Sequence, residues 1–252
     1  MSLAASLHDD ATLAATIATA AGELLLAVQR SGLFEGKAMG KVGDEVANDL
    51  ILRALRQHRP DDAVLSEEEK NDTARCAHAR VWIVDPLDGT REYGEGRTDW
   101  AVHIALAVGG EAALGAVALP GLGLTLSSAD PAPAPAPNTP PKMVVSRTRP
   151  AREAVAVAEK LGAELLPMGS AGAKAMAVVR GEADIYLHSG GQYEWDNCAP
   201  AAVAQAAGLH VSRIDGSPLR YNRPDPLLPD LLICRPDFAE RVLAEVAALQ
   251  PA

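Results

Sequence analysis

Two aspartates lie three residues apart in the segment "VWIVDPLDGT" (81–90), directly after a run of apolar residues. A Pro-Leu pair separates Asp85 from Asp88, and proline fixes its own φ and bends the chain. The two carboxylates could therefore bind one or two cations, with the carbonyl oxygen of Leu87 between them. Mg²⁺ prefers oxygen ligands, commonly a few carboxylates together with water and substrate phosphate. The segment predicts a metal site.

Further acidic residues stand at the ends of predicted elements elsewhere in the chain. Asp44 begins a predicted helix, Glu67 ends a predicted strand, and Asp196 begins another predicted helix. Taken singly, each is more typical of a helix cap or a solvated loop. Because acids at element ends can converge at one edge of a sheet, their joint occurrence favours a shared cation site. No cluster of histidines accompanies them in the sequence, which disfavours zinc and non-haem iron.

The two residues after Asp88 could bind a phosphate group. If a helix begins at Gly89 or Thr90, its free N–H groups point towards an anion bound there. The hydroxyl group of Thr90 could also orient a water molecule near the metal. Cations held by acids, a phosphate held by the cations and a positioned water together predict metal-assisted hydrolysis of a phosphate ester.

Composition narrows the classes of protein that the chain can belong to. It has 252 residues, 48% of them hydrophobic, which is enough for a sizeable core. Its net charge of −10 argues against a nucleic-acid partner, although a bound cation can reverse the local field for a phosphate substrate. The three cysteines form no CxxC pair, which disfavours a disulfide scaffold or a zinc site. The N-terminus has no basic flank before a long apolar run, and "ELLLAV" is too short to span a bilayer, so we expect a cytoplasmic protein that does not bind membranes.

The pattern of apolar residues predicts an α/β protein in two parts. Two amphipathic helices are expected over 11–32, capped by the preceding aspartates, and over 43–60. Three apolar runs over 100–128, separated by Gly or Pro, predict an antiparallel meander. Strands and helices alternate after the Pro-rich segment "DPAPAPAPNTPP". We therefore predict an α+β subdomain (1–129), a connecting loop (130–141) and an α/β subdomain (142–252).

Four motifs resemble those of the inositol monophosphatase superfamily, and they occur in the same order and at similar spacing. They are "GDEVAN" (43–48), "SEE" (66–68), "DPLDGTREY" (85–93) and "WDNCA" (195–199). Within the superfamily, "VSRTRP", "GSAGAKAMAVVRGEADIYLH" and "GGQYEWDNCAPA" are most similar to the CysQ branch. The resemblance implies a layered αβαβα sandwich with the site between its two halves.

The resemblance also implies roles for individual residues. The metal ligands would be Glu67, Asp85, the Leu87 carbonyl, Asp88 and Asp196, with Asp44 at a third, looser metal. The catalytic groups would be Asp44, Thr90 and Glu67, of which Asp44 and Thr90 would help to deprotonate the attacking water. The substrate would contact Gly89, Thr90, Arg147, Ser170, Lys174 and Asp196, and the cations of Lys174 and Arg147 would meet a second phosphate.

Three positions lie outside this pattern. Lys41 stands where the superfamily usually has a threonine, three residues before Asp44, which weakens the expectation of a third metal. His188 stands where some relatives have an arginine, so it is either a substrate contact or a hydrogen-bonded core histidine. His103 lies within a predicted strand and is interpreted as structural.

The activity implied by the resemblance is Mg²⁺-dependent hydrolysis, with two to three ions per site, of the 3′-phosphate of 3′-phosphoadenosine 5′-phosphate (PAP). 3′-Phosphoadenylyl sulfate would be a further substrate, which would connect the protein with sulfur assimilation. Inhibition by Li⁺ and a homodimeric state are also typical of the superfamily.

Three alternatives remain at this point. The same fold and metals could act on inositol 1-phosphate or fructose 1,6-bisphosphate. A phosphatase of the haloacid-dehalogenase type would use Asp85 as a covalent nucleophile, although its two aspartates are one residue closer together. A nucleotide sensor without catalysis is the third, and the presence of all five expected acidic ligands and Thr90 argues against it.

Overall fold

The computed structural model of the protein describes residues 3–131, 133 and 136–249. Within these residues the chain forms seven α-helices and ten β-strands. The helices are α1 (Leu3–Ser31), α2 (Gly36–His58), α3 (Thr90–Gly94), α4 (Arg152–Leu161), α5 (Ala171–Val179), α6 (Glu194–Ala206) and α7 (Pro236–Leu249). The strands are β1 (Ala63–Ser66), β2 (Arg80–Asp88), β3 (Ala101–Val108), β4 (Glu111–Leu119), β5 (Leu124–Ser127), β6 (Lys142–Ser146), β7 (Glu164–Met168), β8 (Ile185–Tyr193), β9 (His210–Ser212) and β10 (Leu227–Cys234).

The first sheet has the strand order β1-β2-β3-β4-β5. β1 runs parallel to β2, and the remaining neighbours are antiparallel, so the predicted meander is confirmed as β3, β4 and β5. Successive residues of β2 enter different cores: Val81 and Ile83 face one, and Trp82 and Val84 face the other. A strand that is buried on both faces is apolar throughout rather than alternating, which explains the continuous apolar run before Asp85.

The second sheet has the strand order β7-β6-β8-β10-β9. β6 is parallel to both β7 and β8, whereas β10 is antiparallel to β8 and β9. The sequence analysis predicted that strands and helices alternate in this part of the chain, and the structure has that alternation with β9 as an additional strand. With three residues, β9 is too short for a periodic pattern to identify it.

Helices cover both sheets and separate them. α1 and α2 pack on the outer face of the first sheet, α5 and α6 lie between the sheets, and α4 and α7 lie on the outer side of the second. The predicted αβαβα sandwich is confirmed. The middle layer joins the two halves, because Met176 of α5 and Ala199 of α6 share one core with Ile83 and Ile233 from different sheets.

All strands of the first sheet precede the predicted connecting loop, and all strands of the second follow it. Part of this loop, 130–141, lies outside the described residues, as do the ends of the chain. The subdomain limits 1–129 and 142–252 therefore stay a prediction, and we propose them as the natural division of the chain.

Residues 9–31 of α1 are long and apolar enough to span a membrane by length and composition, with a mean hydropathy of 1.7. The same stretch buries Ala14, Ala18, Ala21 and Leu25, whose spacing places them on one face of the helix. This face packs with residues of the first sheet in the outer core. The apolar character of α1 is thus explained by its position in the core of this fold.

The predicted cap of the first helix is wrong, because α1 begins at Leu3 and includes Asp10. The buried carboxylate of Asp10 instead pairs with Arg59 Nε at 2.5 Å and with Arg80 Nη2 at 2.9 Å. Arg80 also pairs with Asp62 at 2.8 Å. These ion pairs join α1, the end of α2 and the start of β2, so Asp10 stabilises the contact between the helical layer and the sheet.

We expect Asp10→Ala to lower the free energy of unfolding by about 2 kcal/mol, since it leaves two arginines without their buried anion. The arginines are 29% exposed, which places the expected loss below that of a fully buried pair. Urea denaturation measures the change, with Asp9→Ala as the control because Asp9 is the exposed neighbour. Equal stability of the two variants would contradict this account of Asp10.

Candidate metal centre and active site

A break in strand pairing brings the first two carboxylates together. β2 pairs with β3, and the register shifts between Asp85 and Asp88. In a regular strand, residues three apart point to opposite faces, but a bulge changes the direction of the side chains that follow it. As a result, one carboxylate oxygen from each of Asp85, Asp88 and Asp196 lies within 4.8 Å of the other two.

Asp196 reaches this point from the first turn of α6. Its Oδ2 accepts a hydrogen bond from the backbone N–H of Tyr193 at 2.5 Å, so the residue does cap its helix. The cap fixes the direction of the side chain without preventing a ligand role. Burial and the charge of Asp88 raise the pKa of Asp196 to about 6.

Asp88 is the most strongly stabilised anion of the group. Its carboxylate accepts hydrogen bonds from Ser170 Oγ at 2.5 Å and from the backbone N–H groups of Ala171 at 3.1 Å and Gly172 at 2.6 Å. His103 Nε2 lies 3.2 Å from Asp88 Oδ2. Burial opposes ionisation, but the charge of His103 and these hydrogen bonds outweigh it and lower the pKa of Asp88 to about 2.

His103 belongs to the site, and the sequence analysis missed this contact. Its ring is fully buried, and Nδ1 lies 3.0 Å from the carbonyl oxygen of Trp195. A carbonyl oxygen can only accept a hydrogen bond. Nδ1 therefore donates, and Nε2 faces Asp88. The strand register pairs His103 with Asp85, and no pattern in the sequence shows that register. Gly172 leaves the required space, since a Cβ there would lie 2.0 Å from His103 Nε2.

Glu67 and Asp44 extend the acidic group. Glu67 forms a side-chain hydrogen bond with Asp85, and burial of its carboxyl end together with the charges of Asp196 and Asp88 raises its pKa to about 7. Burial of Asp44 and the charges of Glu68 and Glu67 raise the pKa of Asp44 to about 8. Buried Asp44 Oδ1 has no hydrogen-bond partner among the described residues.

The turn after Asp88 has the predicted form. Gly89 adopts a left-handed conformation with φ of 88°, and α3 begins at Thr90. α3 has only five residues, so its dipole is small and the free backbone N–H groups are the main attraction for an anion. The Thr90 hydroxyl donates to the carbonyl oxygen of Leu87 at 3.1 Å. It also lies near Asp44 and lowers the pKa of that carboxyl, although burial and neighbouring acids raise it more.

Three of the six residues expected to contact the substrate line a neighbouring cavity of about 420 Å³, namely Arg147, Ser170 and Lys174. Gly89, Thr90 and Asp196 are not part of its lining. Ser170 contacts Asp88, as described above. Lys174 is buried, and its Nζ donates to the carbonyl oxygens of Gly169 at 3.1 Å and Ser170 at 2.7 Å. Burial lowers the pKa of Lys174. Lys174 and Arg147, the two basic residues expected to meet a second phosphate, thus lie near the site. The ammonium group of Lys174 is already hydrogen-bonded to backbone carbonyls.

The guanidinium group of Arg147 also has partners within the protein, in this case carboxylates. Its Nη2 pairs with Glu92 at 2.6 Å and with Glu95 at 2.9 Å. His188, whose role the sequence left open, hydrogen-bonds through Nε2 with the carbonyl oxygen of Gly191 at 3.2 Å and is partly buried. This bond satisfies one side of the ring, and it matches the interpretation of His188 as a hydrogen-bonded core histidine.

The donor set fits a hard divalent cation. The converging ligands are all oxygens, which is the chemistry of Mg²⁺, Mn²⁺ and Ca²⁺ sites rather than of zinc. Burial, and after it the charges of neighbouring acids, raises the pKa values of four of these acids, so desolvation and mutual repulsion both disfavour their ionised forms. A cation would offset this repulsion. Of the predicted ligands, the structure brings Asp85, Asp88 and Asp196 together. Glu67 interacts electrostatically with Asp88 and Asp196, and Asp44 with Glu67, so these two acids lie near the group.

Comparison with known proteins agrees with the fold and the motifs. The inositol monophosphatase family model matches residues 9–250. The chain belongs to the inositol monophosphatase family. Membership of this family argues against the haloacid-dehalogenase alternative, in which Asp85 would be a covalent nucleophile.

Two curated relatives and one solved structure illustrate the similarity. The "3'-phosphoadenosine 5'-phosphate phosphatase" of Mycobacterium leprae (strain TN) is 52% identical, over 94% of this chain and 93% of that protein. The "3'(2'),5'-bisphosphate nucleotidase CysQ" of Escherichia coli (strain K12) is 33% identical, over 71% of this chain and 77% of that protein. The crystal structure of CysQ from Bacteroides thetaiotaomicron has a TM-score of 0.77 at 26% identity and covers 90% of this chain and 97% of its own.

Replacing Asp85 with asparagine distinguishes two effects of its charge, namely the destabilisation of the metal-free protein and the binding of a cation. At pH 8 with the metal chelated, we expect Asp85→Asn to raise the free energy of unfolding by on the order of 1 kcal/mol, because burial and neighbouring charges raise the pKa of Asp85 and make its ionised form unfavourable. Mg²⁺ at about 100 times its dissociation constant should stabilise the wild-type protein by about 2.7 kcal/mol. Asp85→Asn should lose most of that gain.

Urea denaturation with chelator and with Mg²⁺ measures both effects, and Glu69→Gln, at an exposed acid of the same region, is the matched control. If Asp85→Asn is less stable than the wild-type protein in chelator and is still fully stabilised by Mg²⁺, Asp85 is not a ligand of the cation.

Proposed function

We propose that this protein is a Mg²⁺-dependent phosphatase that hydrolyses the 3′-phosphate of PAP, giving AMP and phosphate. The observation that carries the proposal is the convergence of the Asp85, Asp88 and Asp196 carboxylates near Asp44 and Thr90, which line one cavity. The substrate follows from the curated relatives that are 50–52% identical, which bear the name of a PAP phosphatase.

The carboxylates of Glu67, Asp85, Asp88 and Asp196 and the carbonyl of Leu87 would hold two ions, with a third near Asp44. Mg²⁺ bound there would lower the pKa of a bound water and would stabilise negative charge on the phosphate and the leaving oxygen. The backbone N–H groups of Gly89 and Thr90 would receive the scissile phosphate. Gly89 is required at this turn because of its positive φ, and because a Cβ would lie 3.2 Å from that of Ser170.

Asp44 and Thr90 are the groups of this chain that would hold and move the proton of the attacking water. Burial and the charges of Glu68 and Glu67 raise the pKa of Asp44 to about 8, and a cation bound nearby would lower it so that the carboxylate can accept a proton near neutral pH. The Thr90 hydroxyl donates to the Leu87 carbonyl and lies beside Asp44, so its oxygen can accept a hydrogen bond from a water between the base and the cation site. Asp196 would also face the leaving side of the substrate.

We extend the proposal to 3′-phosphoadenylyl sulfate, to a cytoplasmic place in sulfur assimilation and to inhibition by Li⁺. Inositol 1-phosphate and fructose 1,6-bisphosphate are the competing substrates on this fold, because several solved structures with this fold are inositol monophosphatases.

Phosphate release from these four compounds, measured side by side in Mg²⁺, tests the substrate. We expect PAP to have the highest kcat/KM. If both nucleotides are the poorest substrates of the four, the assignment to PAP fails although the fold and the metal site stand.

The proton-handling role predicts a difference between two conservative changes at one position. Thr90→Ala should lower kcat with PAP by about 100-fold, because it removes the hydroxyl that orients the water. Thr90→Ser keeps the hydroxyl and should retain most of the activity. Steady-state kinetics at saturating Mg²⁺ measure both variants, and equal activity of the two would show that the hydroxyl has no part in the reaction.

A further inference from the structure

The first turn of α6 carries a second carboxylate, two residues before Asp196, that is not among the predicted metal ligands. This residue, Glu194, is fully buried, whereas its neighbours Tyr193 and Trp195 are at least partly exposed. Burying an ionised carboxylate costs free energy unless hydrogen bonds or an opposite charge compensate it. The partners of Glu194 therefore show which parts of the chain this charge holds in place.

The partners are two successive backbone N–H groups in the loop before β10. Glu194 Oε2 accepts from the N–H of Asn222 at 2.7 Å, and Oε1 accepts from the N–H of Arg223 at 2.8 Å. Asn222 has a φ of 59°, and this left-handed conformation turns both N–H groups towards one anion. In the other direction, the N–H of Glu194 donates to the carbonyl oxygen of Pro226 at 2.8 Å. The backbone and the side chain of Glu194 thus fix the first turn of α6 to this loop.

The guanidinium group of Arg75 holds the same loop from its other side. Arg75 Nη1 donates to Asn222 Oδ1 at 2.8 Å, and Nη2 donates to the carbonyl oxygen of Arg223 at 2.7 Å. The side-chain amide of Asn222 donates in turn to the carbonyl oxygen of His78 at 3.2 Å. The loop therefore lies between a buried cation and a buried anion.

Arg75 anchors the segment that follows β1. Among residues 67–79, all of which the structure describes, Arg75 alone is buried. Its Nη2 also donates to Asn71 Oδ1 at 3.1 Å within this segment. The segment begins with Glu67, whereas α6 carries Asp196, and the two lie on opposite sides of the predicted connecting loop. One network of hydrogen bonds therefore joins two parts of the chain that carry predicted ligands.

A further contact holds the next residue of the same turn. His103 Nδ1 donates to the carbonyl oxygen of Trp195 at 3.0 Å, so Asp196 follows two residues that are both fixed. Apolar side chains would bury this turn at a lower desolvation cost than charged ones. The charges of Glu194 and Arg75 therefore serve the geometry of the turn rather than its stability.

We propose that Glu194 is a positioning residue for the metal centre. Through the loop before β10 and Arg75, it fixes the direction of the first turn of α6. That direction places the Asp196 carboxylate against those of Asp85 and Asp88. The proposal rests on the proposed function, because it takes Asp196 as a ligand of the cation.

Glu194→Gln tests the proposal through a change of one functional group. Both oxygens of Glu194 accept from N–H groups, whereas a glutamine amide has one oxygen, so its NH₂ group would face one of these donors. We expect the affinity for Mn²⁺, a paramagnetic probe of Mg²⁺ sites, to fall by about 10- to 100-fold in an EPR titration of the metal-depleted protein. The Mg²⁺ concentration that gives half-maximal activity with PAP should rise by the same factor. The kcat at saturating Mg²⁺ should stay within about threefold, because the reacting groups are unchanged.

The control for a general loss of stability is Asp10→Ala. Asp10 is also a buried carboxylate, and its partners Arg59 and Arg80 lie outside the metal centre. This variant should be less stable in urea and keep its Mn²⁺ affinity within about twofold of the wild-type value, since distant sites act independently. Wild-type Mn²⁺ affinity in Glu194→Gln, or an equal loss of affinity in Asp10→Ala, would overturn the proposal.

A second variant decides the question if Glu194→Gln does not fold. Asn222→Gly keeps the left-handed backbone, which glycine adopts readily, and removes the side chain that Arg75 binds. Because one hydrogen bond to a charged group is lost, Mn²⁺ binding should weaken by about 3- to 10-fold. Unchanged Mn²⁺ binding in this variant would show that the loop does not position the ligands.

The Mn²⁺ titration requires no turnover, which separates this proposal from the proposed function. If the wild-type protein binds Mn²⁺ but does not hydrolyse PAP, the proposed function fails while the titration of Glu194→Gln still decides on the positioning role. If the wild-type protein hydrolyses PAP and Glu194→Gln binds Mn²⁺ equally tightly, the positioning role fails alone. A wild-type protein that binds no Mn²⁺ would overturn both.

Discussion

The site depends on mutual repulsion among carboxylates that the fold holds at one buried point. Each of Asp85, Asp88 and Asp196 brings an oxygen within 4.8 Å of the others, in a region where solvent screens charge poorly. Asp88 is stabilised by the protein itself, through His103, Ser170 and two backbone N–H groups. The remaining acids have raised pKa values. These acids therefore favour a bound cation, which would offset both the burial of their charges and their mutual repulsion.

This arrangement requires both halves of the molecule. Asp85 and Asp88 come from the first sheet, whereas Asp196 and Ser170 begin the two helices that lie between the sheets. Those helices share one core with both sheets, so the distance between the acids is set by packing rather than by a flexible loop. Metal binding and the integrity of the middle layer are thus coupled.

The net charge of the whole chain and the charge of the cavity beside Ser170 have opposite signs. A net charge of −10 would repel a free phosphorylated nucleotide at long range, yet the cavity beside Ser170 is lined mainly by basic residues. Three of those basic residues, Arg91, Arg147 and Lys174, already contact neighbouring acids or backbone carbonyls. Counting basic residues in the sequence therefore overestimates the number that are available to a ligand.

The sequence alone determined the acids of the site, the order of the elements and the layered α/β class, because strand and helix periodicities and the "DPLDGT" motif are local properties of the chain. Tertiary structure decided which side chains meet. The bulge that turns Asp88 towards Asp85, the strand register that brings His103 to Asp88, and the ion pairs that occupy Arg147, Lys174 and Asp10 all join residues distant in the sequence. Periodicity gives the face on which a residue lies, but only packing gives its partner.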